Sequence, residues 1–345
     1  MALILALAAV LWGIGHLLRM PANARYLMFA LLYLGILSIH MIFPASHPLT
    51  VATGGSLGEW VTLGFLGALV WIYSRGLKKL KGRVRPENLP NNADAPSSSE
   101  LERNARHIVL REIGGPGQKR LKNARVLVVG AGGLGSPALQ YLAAAGVGTI
   151  GVIDDDVVEN SNLQRQVIHT DDAIGMPKVF SAERVMRAQN PFVDVRPYHR
   201  RLTPDVASDL FREFDLILDG CDDVSTRYLV NETAVALEMP LVSAAITQWE
   251  GQLSVFDPSR GAPCYACVFP EPAASGLAPS CAEGGVLGPL PGVMGAMMAV
   301  EAIKVLSGAG EALLGRMMIY DALYGETRTI AVARAADCKV CGRRS

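Results

Sequence analysis

The feature that most constrains this chain is a glycine-rich turn set between a strand and a helix. Arg125-Val-Leu-Val-Val129 is a short, β-branched apolar run and reads as a buried strand. Gly130-Ala-Gly132-Gly133-Leu-Gly135 follows at once, and Ser136 to Ala145 is a good helix sequence that stops at Gly146. In that context a Gly-x-Gly-x-x-Gly turn lets the backbone approach a phosphate closely, and the free N–H groups of the helix start attract its charge. A second strand, Thr149 to Ile153, ends in Asp154, where a carboxylate is placed to accept hydrogen bonds from ribose hydroxyls. The expected fold class is α/β, a doubly wound, Rossmann-like and mostly parallel sheet.

By itself the turn suits a nicotinamide or flavin dehydrogenase. The charges that follow argue for a triphosphate. Asn162-Leu-Gln-Arg165-Gln brings a cation just beyond the second strand, and Gly175-Met-Pro177-Lys178 opens another helix with a lysine at its start. Phe214-Asp-Leu-Ile-Leu-Asp219-Gly-Cys-Asp222-Asp223 reads as a strand whose C-terminal end carries carboxylates. Ligands of open α/β sheets bind outside these strand ends. Two cations and a carboxylate around a phosphate-binding turn fit a triphosphate with a magnesium ion, and hydride transfer needs no such set.

The first 74 residues are of another kind. They carry charge only at Arg19, Arg25 and Glu59, although the whole chain is 19% charged. Apolar runs occupy 1–18, 26–43 and, with Ser56 to Glu59 as an extension, 57–74. A membrane-spanning helix needs about 20 such residues, with about 17 as the lower limit. Arg19 and Arg25 lie between the first two runs, no Lys or Arg separates the second from the third, and Arg75, Lys78, Lys79, Lys81, Arg83 and Arg85 follow the third. The positive-inside rule then gives three spans, the N-terminus outside and the rest of the chain facing the cytoplasm at the inner (cytoplasmic) membrane. A cleaved signal peptide ending near Ala22-Asn23-Ala24 and a buried globular helical bundle are the alternatives. Residues 75–100 read as a basic stretch and a flexible linker, leaving 101–345 for one catalytic domain. Formal net charge is zero, so nucleic acid is not an expected partner.

Four of the six cysteines form two close pairs, Cys264/Cys267 and Cys338/Cys341. In a reducing compartment that spacing reads as metal ligation, and in a secreted protein as disulfides. With the cytoplasmic topology the pairs together resemble a zinc site with four thiolate ligands, closed and structural, pinning the C-terminal part to the domain. Cys221, at a strand end, reads as a packing residue, and no two histidines sit at ligand spacing. Pro291 to Leu306 reads as an apolar helix whose methionines serve core or dimer packing.

Taken in order, these motifs resemble the MoeB/ThiF/HesA family, the bacterial relatives of ubiquitin-activating enzymes. The resemblance covers 101–342. It includes Arg103-x-x-Arg106-His-Ile, the glycine turn, Asp154, Ser161-Asn-Leu-Gln-Arg165-Gln, Gly175-x-Pro-Lys178, Asp222-Asp223, Pro263-Cys-Tyr-Ala-Cys267, Cys281-Ala-Glu-Gly-Gly-Val and Cys338-x-x-Cys341-Gly.

The resemblance implies an enzyme, a nucleotidyltransferase that adenylylates the C-terminal glycine carboxylate of a ubiquitin-like sulfur-carrier protein and releases pyrophosphate. The carrier would end in Gly-Gly and be of the molybdopterin synthase small-subunit type, in molybdenum cofactor biosynthesis. A thiamine-pathway carrier is the alternative, and so is a membrane-tethered nucleotide-binding scaffold without catalysis. Gly130, Gly132, Gly133, Gly135 and Asp154 would hold ATP. Ser161, Asn162, Leu163, Gln164 and Arg165 would line the phosphate site, with Lys178 neutralising charge there and Asp222 holding magnesium. Arg106 would reach the ATP of a partner subunit, which implies a homodimer. Cys281 matches a cysteine that in relatives can take the carrier as a thioester or persulfide. Where the family usually has Asp-Asn this chain has Asp222-Asp223, so Asp223 adds a negative charge beside the nucleotide.

Overall fold

The computed structural model describes residues 22–83, 96–272 and 284–342, together with Ile4 and Trp12. The rest of the first apolar run, the segment 84–95 and Cys281 lie outside the described residues. The chain divides into two compact units, Met1–Ala95 and Pro96–Ser345.

In the N-terminal unit two helices, Ala22–Ile42 and Leu57–Arg83, flank the short helix Pro48–Thr53. The start of Leu57–Arg83 is set locally. The backbone N–H of Ser56 donates to the Glu59 carboxylate at 2.8 Å, while the N–H of Glu59 donates to Ser56 Oγ at 3.3 Å, a reciprocal cap. The helix then runs past 74 into the basic stretch, because Lys and Arg are good helix formers. The long helices meet where Gly64 leaves room for Tyr33, whose hydroxyl donates to Trp60 O at 2.7 Å. Leu27, Leu31, Leu34, Val61, Phe65 and Leu66 all remain exposed.

The second unit is built on an eight-stranded sheet ordered β3-β2-β1-β4-β5-β6-β7-β8. The strands are β1 Arg125–Val129, β2 Thr149–Ile153, β3 Asp194–Tyr198, β4 Leu216–Asp219, β5 Leu241–Ile246, β6 Glu250–Phe256, β7 Arg316–Asp321 and β8 Glu326–Ala331. The five strands β3 to β5 pair in parallel, and β6, β7 and β8 are added antiparallel. The α/β expectation therefore holds, with an antiparallel extension. β1 and β4 are buried nearly throughout because both faces are covered, which is why their sequences are continuous apolar runs. Strand order reverses between β1 and β4, and a crevice opens there beyond the strand ends.

The helix Pro289–Ser307 crosses one face of the sheet and covers the glycine turn. Met294, Met298, Ala299 and Ala302 are among its fully buried residues, packed in one core cluster with Val242, Leu253 and Leu142. Two of its methionines, Met294 and Met298, are therefore core residues, and the partly buried Met297 packs against the same core. The approach is close enough to require glycine: a Cβ at Gly295 would sit 2.2 Å from Leu134 O, and one at Gly133 would sit 3.0 Å from Pro291 Cβ. Among the described residues this is the one helix long and apolar enough to cross a membrane, and half of it is buried in the domain. The apolar stretches of the N-terminal unit, Leu27–Ile42 and Leu57–Leu69, are shorter.

Replacing Gly295 by Ala forces the helix away from the turn it covers. The substitution is expected to destabilise the domain by about 1–3 kcal/mol, seen as a lowered thermal midpoint of the full chain. An unchanged midpoint would mean that the helix slides freely over Leu134.

Candidate active site

Three strand ends are stitched together at the crevice. Gly130 N donates to Ile153 O and Gly220 N donates to Val129 O, each at 2.9 Å, so the residues leaving β2, β1 and β4 converge. Gly130 takes φ +95°, and its missing Cβ would meet Gly220 O at 3.0 Å. A Cβ at Gly135 would fall 1.9 Å from Gly130 O. These glycines are needed because the turn folds back on itself and on the β4 loop. His169, for which the sequence suggested no role, braces the turn: its ring contacts Ala131 O at 2.9 Å and Ser181 Oγ at 3.0 Å. Burial pulls its pKa below the ordinary imidazole value.

Around this point lies a cavity of about 810 Å³, lined by Gly130, Gly132, Gly133, Asp154, Arg165, Lys178, Asp222 and Asp223. Residues the sequence reading had placed in separate segments thus share one space. Lys178 opens the helix Lys178–Gln189 and is 6% exposed, its Nζ 2.7 Å from Asp156 Oδ2. Asp154 accepts from the backbone N–H of Ala131 at 2.7 Å and of Asp156 at 2.8 Å. Burial pushes its carboxyl above the ordinary value against those hydrogen bonds and the pull of Lys178. The Asp222 carboxylate is exposed into this space and makes no hydrogen bond or ion pair among the described residues.

Other expected residues stand elsewhere. Of Ser161 to Arg165 only Arg165 lines the cavity, joined by its neighbour Gln166. Asn162 is buried and forms a reciprocal cap with Glu159, which shapes the turn Asn160–Asn162, and Arg165 Nη1 donates to Ser161 O at 3.0 Å. Ser161, Asn162, Leu163 and Gln164 therefore build the loop that presents Arg165. Gly135 lies at the helix start behind the turn, outside the cavity lining. Arg106 is exposed on the helix Ala105–Ile108 and does not line the cavity.

Asp223 has a structural duty that the sequence reading had not given it. It caps the helix Val224–Ala236, its Oδ2 accepting from Thr226 N at 2.8 Å and from the hydroxyls of Ser225 and Thr226 at 2.6 Å each. Those hydroxyls lower its pKa to about 2.

At the cavity wall, where Arg227 is one of the lining residues, is a buried ion pair that sequence reasoning missed. Asp219, fully buried at the end of β4, faces Arg227 at 2.9 Å. Arg227 also donates to Ser243 Oγ at 2.8 Å, Ala244 O at 2.9 Å and Cys221 O at 2.6 Å. Ser243 Oγ donates to Asp219 at 2.8 Å, so nearly every polar atom of the pair is satisfied. The arrangement holds the Gly220–Asp223 loop, and with it Asp222, against β5. Burial pushes the neighbouring Cys221 thiol well above its ordinary pKa, which keeps it an inert wall group.

Far along the chain, four sulfurs converge. Sγ of Cys264 lies 3.8 Å from Cys267 and 3.6 Å from Cys338, and Cys267 lies 3.3 Å from Cys341. These separations exceed a disulfide bond of about 2.05 Å and match the edge of a sulfur tetrahedron around a metal at about 2.3 Å. Burial pushes the Cys264 thiol far up, so a cation in contact is what would hold it as thiolate.

A doubly wound sheet with a glycine-turned cavity at its switch point defines a nucleotide-binding class of α/β protein. Within that class the chain belongs to the ThiF family, whose sequence profile matches residues 104–340. The sulfur carrier protein adenylyltransferase of Thermus thermophilus is 49% identical over 250 residues, 71% of this chain and 92% of that protein. The probable adenylyltransferase/sulfurtransferase MoeZ of Mycobacterium tuberculosis is 52% identical over 245 residues, 70% of this chain but only 62% of MoeZ. Among solved structures, E. coli MccB with ATP superposes with a TM-score of 0.62 at 25% identity, covering 72% of this chain and 75% of that one. The dehydrogenase alternative is thereby set aside.

Replacing Arg227 by Met would leave Asp219 charged, buried and unpaired. A loss of about 3–5 kcal/mol is expected in equilibrium unfolding of the full chain. A loss below 1 kcal/mol would mean the pair is dispensable to the fold.

Proposed function

We propose that this chain is an ATP-dependent adenylyltransferase acting on the C-terminal carboxylate of a ubiquitin-like sulfur carrier that ends in Gly-Gly. The observation that carries the reading is the meeting of Arg165, Lys178 and Asp222 with the glycine turn in one cavity. The names of the relatives, sulfur carrier protein adenylyltransferase and MoeZ, support the substrate class. The molybdopterin synthase small-subunit type is the carrier favoured here, with a thiamine-pathway carrier as the alternative.

The chemistry asks little of proton transfer. A carboxylate oxygen of the carrier attacks the α-phosphorus of ATP, a new C–O–P linkage forms, the α–β bridging P–O bond breaks, and pyrophosphate leaves with the electron pair. The attacking carboxylate is already ionised at neutral pH, so no general base is required. Catalysis rests on alignment and on neutralising charge that grows on the α-phosphate and the leaving group. Arg165, held by its own loop, and Lys178 are the cations for that task. In the ground state Lys178 is paired with Asp156, which keeps a buried ammonium satisfied until phosphate arrives. Asp154 stands at the end of β2, where it would take the ribose hydroxyls. Asp222 offers a hard oxygen donor of the kind magnesium prefers, and a magnesium ion held there would offset the charge of the phosphates.

The four-sulfur cluster fits zinc, which would clamp the segment after β8 to the helix Tyr265–Val268. The exposed apolar faces of the N-terminal helices support an anchor in the inner membrane, with the N-terminus outside and the catalytic domain in the cytoplasm. Arg106, exposed and away from its own cavity, is consistent with a homodimer in which it serves the partner's nucleotide.

Two outcomes are expected. The purified full chain, given magnesium, ATP, labelled pyrophosphate and candidate carriers, should exchange label into ATP only when the right carrier is present. Arg165→Ala should cut that rate by about 10²–10³-fold, the cost of removing one charge-stabilising donor. Absence of carrier-dependent exchange with every candidate carrier would overturn the reading. Elemental analysis should find one zinc per chain, and Cys338→Ser should lose it together with a large part of the thermal stability. Zinc retained in that variant would refute the four-thiolate assignment.

A further inference from the structure

The cavity has a second cationic wall. Arg200 and Arg201 line it from the turn that leaves β3, beside the loop carrying Asp222 and Asp223. The turn is fixed at both sides. Arg200 N donates to Tyr198 O at 2.9 Å, and Leu202 is buried in a core cluster with Leu210 and Phe211. The two arginines are thus set at the cavity by the backbone, and Arg201 Nη2 comes within 3.8 Å of Asp223 Oδ2.

Asp223 poses an electrostatic problem that Asp222 does not. The free Asp222 carboxylate is available to a metal ion. The Asp223 carboxylate has three hydrogen bonds on one oxygen and is committed to its helix. A second carboxylate, not free to turn away, therefore faces a space built for a polyanion. Capping does not require it, because Asn caps a helix as well as Asp does. What the charge does require is a counter-charge, and the nearest guanidinium is that of Arg201.

We infer that Arg201 is the counter-charge that makes Asp223 compatible with a bound nucleoside triphosphate, and that the Arg201–Asp223 pair sets the site's affinity for magnesium–ATP without entering the chemistry. Arg201 is then a specificity-determining residue that acts through Asp223. The inference rests on the ATP-dependent reading of the cavity.

The test is a charge cycle on the full chain in detergent, reading magnesium–ATP affinity by calorimetry beside KM for ATP and kcat. Both side chains of the pair are partly exposed, so the effect is bounded by that of an accessible ion pair. Arg201→Ala should weaken ATP binding about fivefold and raise KM to match, with kcat held within about twofold. Arg201→Lys should keep most of the affinity. The double variant Arg201→Ala/Asp223→Asn should return to within about twofold of the parent, since the charge that needed offsetting is gone. The difference between Arg201→Ala and the parent should shrink in high salt. A double variant as weak as Arg201→Ala would overturn the inference, because Arg201 would then be touching the nucleotide itself. An Arg201→Ala variant with parental affinity, or one with a lowered thermal midpoint and no change in KM, would overturn it too. Failure of the parent chain to bind magnesium–ATP at all would sink the reading of the cavity instead, which keeps the two failures apart.

Discussion

The site depends on a single buried contact, the Asp219–Arg227 pair. β4 delivers a carboxylate to full burial, where an unpaired charge would cost several kcal/mol. Arg227 answers it from the first turns of the next helix and spends its remaining donors on Cys221 O, Ser243 Oγ and Ala244 O. One guanidinium thereby joins the end of β4, the loop after it and β5. The loop it holds is the one that offers Asp222 to the cavity and Asp223 to the helix. The glycine turn, packed against Gly220 on one side and Pro291 on the other, inherits its position from that loop.

This architecture suits a reaction whose difficulty is electrostatic. Arg165, Lys178 and Asp154 reach the cavity from the segments after β2, Arg200 and Arg201 from the turn after β3, and Asp222 and Asp223 from the loop after β4. Charges of both signs thus come from separate strand ends, and the sheet holds their spacing. Rigid placement of Arg165 and Lys178 provides stabilisation without reorganisation when charge develops, while the Arg201–Asp223 pair sets the field in which the nucleotide binds. Two groups near the cavity are withdrawn from proton transfer: burial raises the Cys221 thiol, and His169 is spent on bracing the turn.

Much of this was legible from sequence. The β1 run, the glycine turn, Asp154 and the β4 run announced themselves because a buried parallel strand must be continuously apolar and a phosphate turn must lack side chains. Arg165, Lys178 and Asp222 were legible as residues just beyond strand or turn signals. Arg200 and Arg201 follow β3 by the same rule, and reading Asp194–Tyr198 as a strand would have found them; a proline within it and only a partly buried pattern hid it. Arg227 was not legible at all. On a helix such a residue looks like a solvated cation, and only the tertiary fold reveals that its partner is a buried aspartate on the preceding strand. Asp223 was seen as an added charge, but its capping duty depends on Ser225 and Thr226, whose hydroxyls give no sequence signal of where they point. Ser161 to Gln164 travel with Arg165 in sequence, and in the fold they shape its loop while Arg165 is the one of the five that lines the cavity.

The helix Pro289–Ser307 has an implication for how such a chain is made. It is long and apolar enough to cross a membrane, yet its place is against β5 and β6. Two solvents, lipid and the protein's own sheet, compete for the same nineteen-residue segment as it emerges. Glu301 tips the contest. In the folded domain its carboxylate is buried and accepts from Leu313 N at 2.8 Å, with Lys304 as its ionic partner. In hydrocarbon a carboxylate in the body of the segment would carry a penalty of about 2.5–3.5 kcal/mol, whereas Lys304, near its end, would reach the interface. One acidic residue thus acts as an address label, sending an otherwise membrane-worthy helix to the interior of an enzyme.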